Sequence, residues 1–166
     1  MKKLFFILSF LISVTFLSSQ SWALPSCPLS GFKHNCFGTY KYTKLGKYIG
    51  EWKNNKAYGQ GKFISLKGEV YKGEWKNGNM HGQGNLYTPP GHRYAGQFKN
   101  NKMDGQGTLI TADRLKYIGE FKNGKIHGQG IAYSLDGKIK KEGIWDKGKF
   151  LYAQKIKKTD KQYSET

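Results

Sequence analysis

The side chains best suited to chemistry are histidines that follow glutamates at a fixed interval. His81 lies seven residues after Glu74, and His127 lies seven residues after Glu120. A carboxylate next to an imidazole supplies a general acid–base pair or two ligands of a metal ion. Joint chemistry of this kind requires the two pairs to converge on one point.

The elements that would carry these pairs keep them apart. His81 and His127 are separated by two periods of a 23-residue pattern. If each period is a hairpin, four strands separate the histidines by about 19 Å, whereas zinc ligands lie roughly 2 Å from a common centre. Each Glu–His pair is then a cross-strand surface contact. We predict a protein that is not an enzyme, with no metal, no cofactor and no small-molecule substrate.

The N-terminus has the pattern of a secretory signal peptide over residues 1–23. Lys2 and Lys3 precede an apolar stretch from Leu4 to Leu17, and a small residue stands at each end of Ser21–Ala23. This order of segments is typical of a leader that is cleaved after Ala23. We expect an exported protein, either periplasmic or secreted, with outer-membrane association as a further option.

Export changes the interpretation of the only two cysteines, Cys27 and Cys36. Cysteines nine residues apart in an oxidising compartment most simply form a disulfide. Two alternatives stay open: two free thiols, or a lipid on Cys27, because residues 24–27 have the outline of a lipobox.

Charge is the strongest compositional signal. After removal of residues 1–23, the chain retains 26 basic and 11 acidic residues, a net charge of +15. A strongly basic exported protein is expected to associate with anionic lipid or envelope surfaces, while export disfavours nucleic acid as a partner. Ordinary solvation is the competing explanation, because lysines also keep exposed β-strands soluble.

An internal repeat dominates the rest of the sequence. An aromatic motif returns every 23 residues, and a Gly-Gln-Gly motif follows each copy. The motif residues are Tyr48, Gly50 and Trp52; Tyr71, Gly73 and Trp75; Tyr94, Gly96 and Phe98; and Tyr117, Gly119 and Phe121. Asn-Asn or Asn-Gly stands between the two motifs, as a two-residue type I′ hairpin turn requires.

Strand alternation then assigns two faces to each hairpin. A simple two-residue register places the aromatic motif on one face together with Ala57, Gly59, Gly61 and Phe63. We expect the rings to cover the glycines of a neighbouring hairpin on this aromatic face. The opposite face carries aligned lysines at positions Lys53, Lys76, Lys99 and Lys122.

The pattern Y-x-G-x-[WF] followed by G-x-G resembles the MORN repeat family over about residues 36–150. The resemblance implies an all-β fold, an elongated single-layer antiparallel sheet built hairpin by hairpin, used as a membrane or protein scaffold. It divides the chain as follows: signal peptide 1–23, N-terminal segment 24–35, MORN-repeat domain 36–153 and basic C-terminal tail 154–166. Within the domain we expect a half repeat at 36–47, repeats at 48–70, 71–93, 94–116 and 117–140, and a degenerate cap at 141–153.

Two functions remain compatible with the sequence. In the first, the lysines at 53, 76, 99 and 122 present a basic surface to an anionic membrane or envelope component. In the second, the chain is a protein–protein interaction module that acts through the aromatic face or the sheet edges.

Overall fold

The structure is a computed structural model that describes residues 24–156. The predicted signal peptide lies outside these residues, as does the tail beyond residue 156. The described chain forms eleven strands and no helix, and therefore no helix that could cross a membrane. The strands are β1 Cys36–Tyr42, β2 Gly46–Lys53, β3 Lys56–Ser65, β4 Val70–Lys76, β5 Asn79–Thr88, β6 His92–Lys99, β7 Lys102–Ile110, β8 Lys116–Lys122, β9 Lys125–Tyr133, β10 Ile139–Asp146 and β11 Lys149–Ala153.

The strands form one open antiparallel sheet whose spatial order equals their order in the sequence. The expected all-β, single-layer fold is therefore confirmed. Residues 54 and 55 both have positive φ, at 51° and 59°, as a type I′ turn requires. The same two-residue turn joins β4 to β5, β6 to β7, β8 to β9 and β10 to β11. These five turns lie along one long edge of the sheet, which we call the turn edge, and the longer loops lie along the other.

The aromatic rings form one continuous row along the sheet. Each tyrosine packs edge-to-face against the Trp or Phe of its own repeat and against that of the next repeat. Tyr48, for example, lies 5.0 Å from Trp52 and 5.1 Å from Trp75, measured between ring centroids. The alternation continues through Tyr71, Phe98, Tyr94, Phe121 and Tyr117 to Trp145. Each such contact contributes about 0.5–1.5 kcal/mol beyond area burial, so this row is the core of a sheet that has only one layer.

The rings reach the glycines in a way that differs from the prediction. The Tyr48 ring covers Gly61 of its own hairpin, where a side chain would collide with the ring, and not a glycine of a neighbouring hairpin. The contact to the neighbouring hairpin comes from tryptophan, because the Trp75 indole N–H donates to the Gly61 carbonyl at 3.2 Å. Trp52 and Trp145 make the same bond to Gly38 and Gly130.

The placement of Gly59 on the aromatic face is wrong. The hairpin register shifts between Gly50 and Glu51, so that Glu51 pairs with Tyr58 whereas Gly50 pairs with Gly61. Gly59 lies in the resulting bulge with a φ of 60°, and a side chain there would meet the Glu51 carboxylate. The first glycine of each Gly-Gln-Gly motif is therefore needed for a left-handed backbone, and the second for the tyrosine ring.

The face opposite the rings is not uniformly polar. Ile131 is fully buried there, and its cross-strand partner Ile118 is also buried. Chain that follows β11 returns to this side, where the backbone N–H of Ile156 donates to Glu142 and the Ile156 side chain is 6% exposed. Ile156, within the predicted basic C-terminal tail, is therefore held against the sheet.

Candidate binding surfaces

The four aligned lysines lie on the last strand residue before each turn. All four side chains are exposed, and they follow one another along the turn edge at Lys53, Lys76, Lys99 and Lys122. Successive members are separated by two strands, which is about 9–10 Å. The fifth position of this column is Asp146, which contacts His127 at 3.1 Å, so the cationic row ends at the last hairpin.

Further lysines face this row across the hairpins. Lys53 pairs with Lys56, Lys99 with Lys102, and Lys122 with Lys125, whereas Lys76 pairs with Asn79. Like charges placed directly opposite each other destabilise a pair of strands. Three of these four cross-strand pairs therefore place lysine opposite lysine, which is unfavourable and which the fold does not require. The sequence pattern predicted the first row of lysines but missed the second.

Hydrogen bonds between successive turns hold this edge together. The backbone N–H of the second turn residue donates to a carbonyl of the preceding repeat, for example Gly78 to Ala57 at 2.9 Å. The same bond joins Asn101 to Met80, Gly124 to Met103 and Gly148 to Ile126. Asn55 makes it to Lys33, so the N-terminal segment takes the place of a preceding repeat. The lysines are thus carried by turns whose spacing is fixed by the backbone.

The N-terminal segment also closes the first edge of the sheet. The predicted disulfide between Cys27 and Cys36 is present, and backbone bonds join Cys27 and Pro25 to Phe37 of β1. Cys36 pairs with Trp52 as Gly59 pairs with Trp75, so the cysteine stands in the first-glycine column. A sulfur that forms a disulfide cannot carry a thioether-linked lipid, so this bond and the lipidated alternative exclude each other.

The glutamates of the predicted Glu–His pairs have a different partner. The Glu74 carboxylate accepts the backbone N–H of Gln83 at 2.8 Å, and Glu120 accepts that of Gln129 at 3.2 Å. His127 contacts Asp146 of the next hairpin and not Glu120. Within residues 24–156, no group of three His, Cys, Asp or Glu side chains is placed to hold a metal ion. The glutamates therefore stabilise the bulges.

A second surface lies on the aromatic face, as a groove of about 530 Å³ across the first three hairpins. Its floor and walls are Tyr48, Ala57, Phe63, Tyr71, Trp75, Met80 and Leu86. Lys56 and Asn55 line its end at the turn edge, and Glu69 and Leu45 line its end at the loop edge. The sequence pattern predicts that these rings form the core and gives no sign of the groove.

Comparison with known proteins agrees with this geometry. The family model for the MORN repeat matches residues 48–70, 71–93, 94–115 and 117–138, which is more than half of the chain. A search of curated proteins finds no match.

Proposed function

This chain belongs to the MORN repeat family, whose members are typically binding or scaffold modules and generally non-catalytic, and we propose that it is an exported scaffold whose turn edge binds anionic membrane or envelope surfaces. The observation that supports this function is the pairing of lysine with lysine across three hairpins. A facing layer of phosphate or carboxylate groups would offset that repulsion, because it places opposite charge near both members of each pair.

The spacing of the lysines favours an extended anionic surface over a single anion. Neighbours about 9–10 Å apart are close to the screening length of about 8 Å at physiological salt. Their fields therefore add in part at a surface that faces them. Each lysine near an anionic bilayer contributes about 1 kcal/mol, so the row as a whole gives useful affinity without any deep pocket.

Vesicle binding tests this proposal directly. Replacing Lys53, Lys76, Lys99 and Lys122 with Gln is expected to weaken binding to phosphatidylcholine vesicles that contain phosphatidylglycerol by at least tenfold at low salt. The reason is the loss of roughly 1 kcal/mol per lysine. Vesicles of phosphatidylcholine alone should bind neither protein, and raising the salt should weaken binding of the parent chain.

A charge-matched variant distinguishes the effect of the turn-edge lysines on binding from the effect of net charge. Replacing Lys41, Lys62, Lys72 and Lys140 with Gln removes the same charge from exposed positions elsewhere on the sheet. We expect this variant to lose less affinity than the turn-edge variant. Equal losses would mean that only the total charge matters, and the assignment of binding to the turn edge would be wrong.

Export is the other half of the proposal. The disulfide supports it, because such bonds persist in oxidising compartments. The expected mature protein begins at Leu24, and the intact mass of the exported protein tests this. A mass that retains residues 1–23 would show that the leader is not removed.

A protein–protein role is the second candidate function. The groove on the aromatic face favours it, since soluble proteins seldom leave large apolar surfaces uncovered.

A further inference from the structure

Asparagine precedes glycine in two of the five turns on the turn edge, at Asn77-Gly78 and Asn123-Gly124. In such a pair, the glycine backbone nitrogen can attack the asparagine side-chain carbonyl carbon, because glycine has no side chain that hinders ring closure. The nitrogen loses its proton to solvent, the C–N bond of the side-chain amide breaks, and the departing group takes up a proton and leaves as ammonia. Water then opens the cyclic imide to aspartate or isoaspartate, each of which carries a negative charge.

The two turns are alike in sequence and in backbone conformation. Both read Lys-Asn-Gly, beginning at Lys76 and at Lys122. The φ angles are 54° and 84° at residues 77 and 78, and 50° and 81° at residues 123 and 124. In both turns the glycine N–H donates to the preceding repeat, at 2.9 Å and 2.8 Å. Because this nitrogen must lose its proton before it attacks, each turn has to open before the reaction begins.

The turns differ in what holds the asparagine. The Asp104 carboxylate accepts the backbone N–H of Asn123 at 3.1 Å. Tyr58 stands in the corresponding place beside Asn77, because positions 58 and 104 are two periods of 23 residues apart. The Tyr58 ring has a different partner, since the Lys53 ammonium lies 5.0 Å from its centroid. Asn123 is thus fixed by a carboxylate that has no counterpart at Asn77.

This difference makes the turn at residues 123–124 harder to open. Opening it breaks the bond to Asp104 as well as the bond to the preceding repeat. The negative charge of Asp104 also disfavours the nitrogen anion that forms when Gly124 loses its proton. Water reaches Gly78 more readily, because Gly78 is exposed and Gly124 is partly buried.

We propose that Asn77 is a deamidation site of the folded chain and that Asp104 protects Asn123 from the same reaction. The co-reactant is water, and the products are ammonia and an aspartate or isoaspartate at position 77. The new negative charge lies next to Lys76, within the lysine row, so the modification removes positive charge from the turn edge at one defined position. This consequence for binding rests on the function proposed above, whereas the reaction itself does not.

Peptide mapping after incubation at mildly alkaline pH tests the proposal. In the folded chain, deamidation at Asn77 should be about tenfold faster than at Asn123, or more, which is the factor that a hydrogen bond to a charged group provides. In the urea-unfolded chain the two sites should react at equal rates, because their neighbours in the sequence are the same. Equal rates in the folded chain would overturn the proposal. So would an Asn77 that stays intact while the unfolded chain reacts completely.

Exchanging the residues beside the two turns provides matched controls. Asp104→Tyr should accelerate deamidation at Asn123 to the rate observed at Asn77, and Tyr58→Asp should slow the reaction at Asn77. Each variant introduces a residue that the same column already contains, and chemical denaturation verifies that both stay folded. Rates that do not respond to either exchange would overturn the protective role of Asp104.

Vesicle binding measures the consequence for the turn edge. Asn77→Asp reproduces the charge of the product and should bind anionic vesicles about fivefold more weakly than the parent chain, since one charge near an anionic bilayer is worth about 1 kcal/mol. Asn77→Gly is the neutral control, because glycine also tolerates the positive φ of this turn position. If Asn77 deamidates as expected but Asn77→Asp binds as tightly as the control, the modification site stands and the binding function of the turn edge is wrong.

Discussion

The Glu74 carboxylate accepts a hydrogen bond from the backbone N–H of Gln83 at 2.8 Å. The bond bridges the bulge that contains Gly82, where the regular strand pairing is interrupted. The third repeat makes the same bond through an amide, because Gln97 Oε1 accepts the N–H of Gln106 at 2.8 Å. The requirement at this position is thus an acceptor oxygen and not a negative charge.

Substitutions at Glu74 test this requirement. Glu74→Gln should change the free energy of unfolding by only a few tenths of a kcal/mol, whereas Glu74→Met should cost about 0.5–1.5 kcal/mol, because the Gln83 N–H loses its protein partner. Chemical denaturation of the two variants provides the comparison. If the Gln variant is as unstable as the Met variant, the charge matters and the interpretation as a neutral acceptor fails.

Gly105→Val should destabilise the fold far more than Lys99→Ala or His81→Ala. Gly105 has a φ of 108°, and a side chain there would collide with Gln97. Strain and overpacking together are expected to cost about 2–4 kcal/mol, whereas surface changes usually stay within about 0.5 kcal/mol. Thermal unfolding of the three variants is the measurement. Similar melting temperatures for all three would mean that the bulge tolerates a normal backbone.

Loss of the disulfide should act on the N-terminal end alone. A paired replacement of Cys27 and Cys36 with Ser removes a cross-link that is typically worth about 2–4 kcal/mol. Because each repeat contacts mainly its neighbours, hydrogen exchange should accelerate in β1 and β2 and remain slow in β8 and β9. A uniform increase in exchange along the sheet would contradict this view of a row of locally coupled units.

Alkaline pH should destabilise the sheet through its tyrosines. Burial raises the pKa of Tyr48, Tyr71 and Tyr94 well above the usual value, because a phenolate would lose its hydration. The folded-state pKa is raised, so this stabilisation is complete below about pH 10, where an unfolded tyrosine ionises, and is lost as the pH rises above that value. Tyrosinate absorbance should therefore appear together with unfolding for these rings. Ionisation of all tyrosines while the sheet stays folded would contradict the prediction.

The sequence predicted the period, the turns and the ring positions because each has a local signature. Asn54 and Asn55 fit a type I′ turn by residue type alone, and the 23-residue interval places the tyrosine of each repeat motif on one face. Other features were missed because they depend on geometry between strands. Gly59 and Gly61 cannot be distinguished in the sequence. Gly59 is needed for its left-handed backbone, whereas Gly61 leaves room for the Tyr48 ring.

The groove was missed for a related reason. Ala57 fits an apolar column and was placed on the correct face, but periodicity does not measure side-chain volume. Only the packing around Trp75 reveals the space that a small residue leaves. The burial of Ile131 was likewise not predicted, and the chain after β11 bonds to Glu142, the strand partner of Ile131, on this same face.

The bonds between successive turns also determine where the chain tolerates extra length. Each turn of the turn edge has two residues, and its second N–H bonds to the preceding repeat or, at Asn55, to the N-terminal segment. An insertion in such a turn would break this link. The connections on the other edge already vary, from residues 43–45 to residues 111–115. An insertion on that edge would leave the hydrogen bonds between successive hairpins at the turn edge in place. The turn edge therefore keeps the interval between the lysines constant, whereas the loops on the other edge can differ in length and sequence.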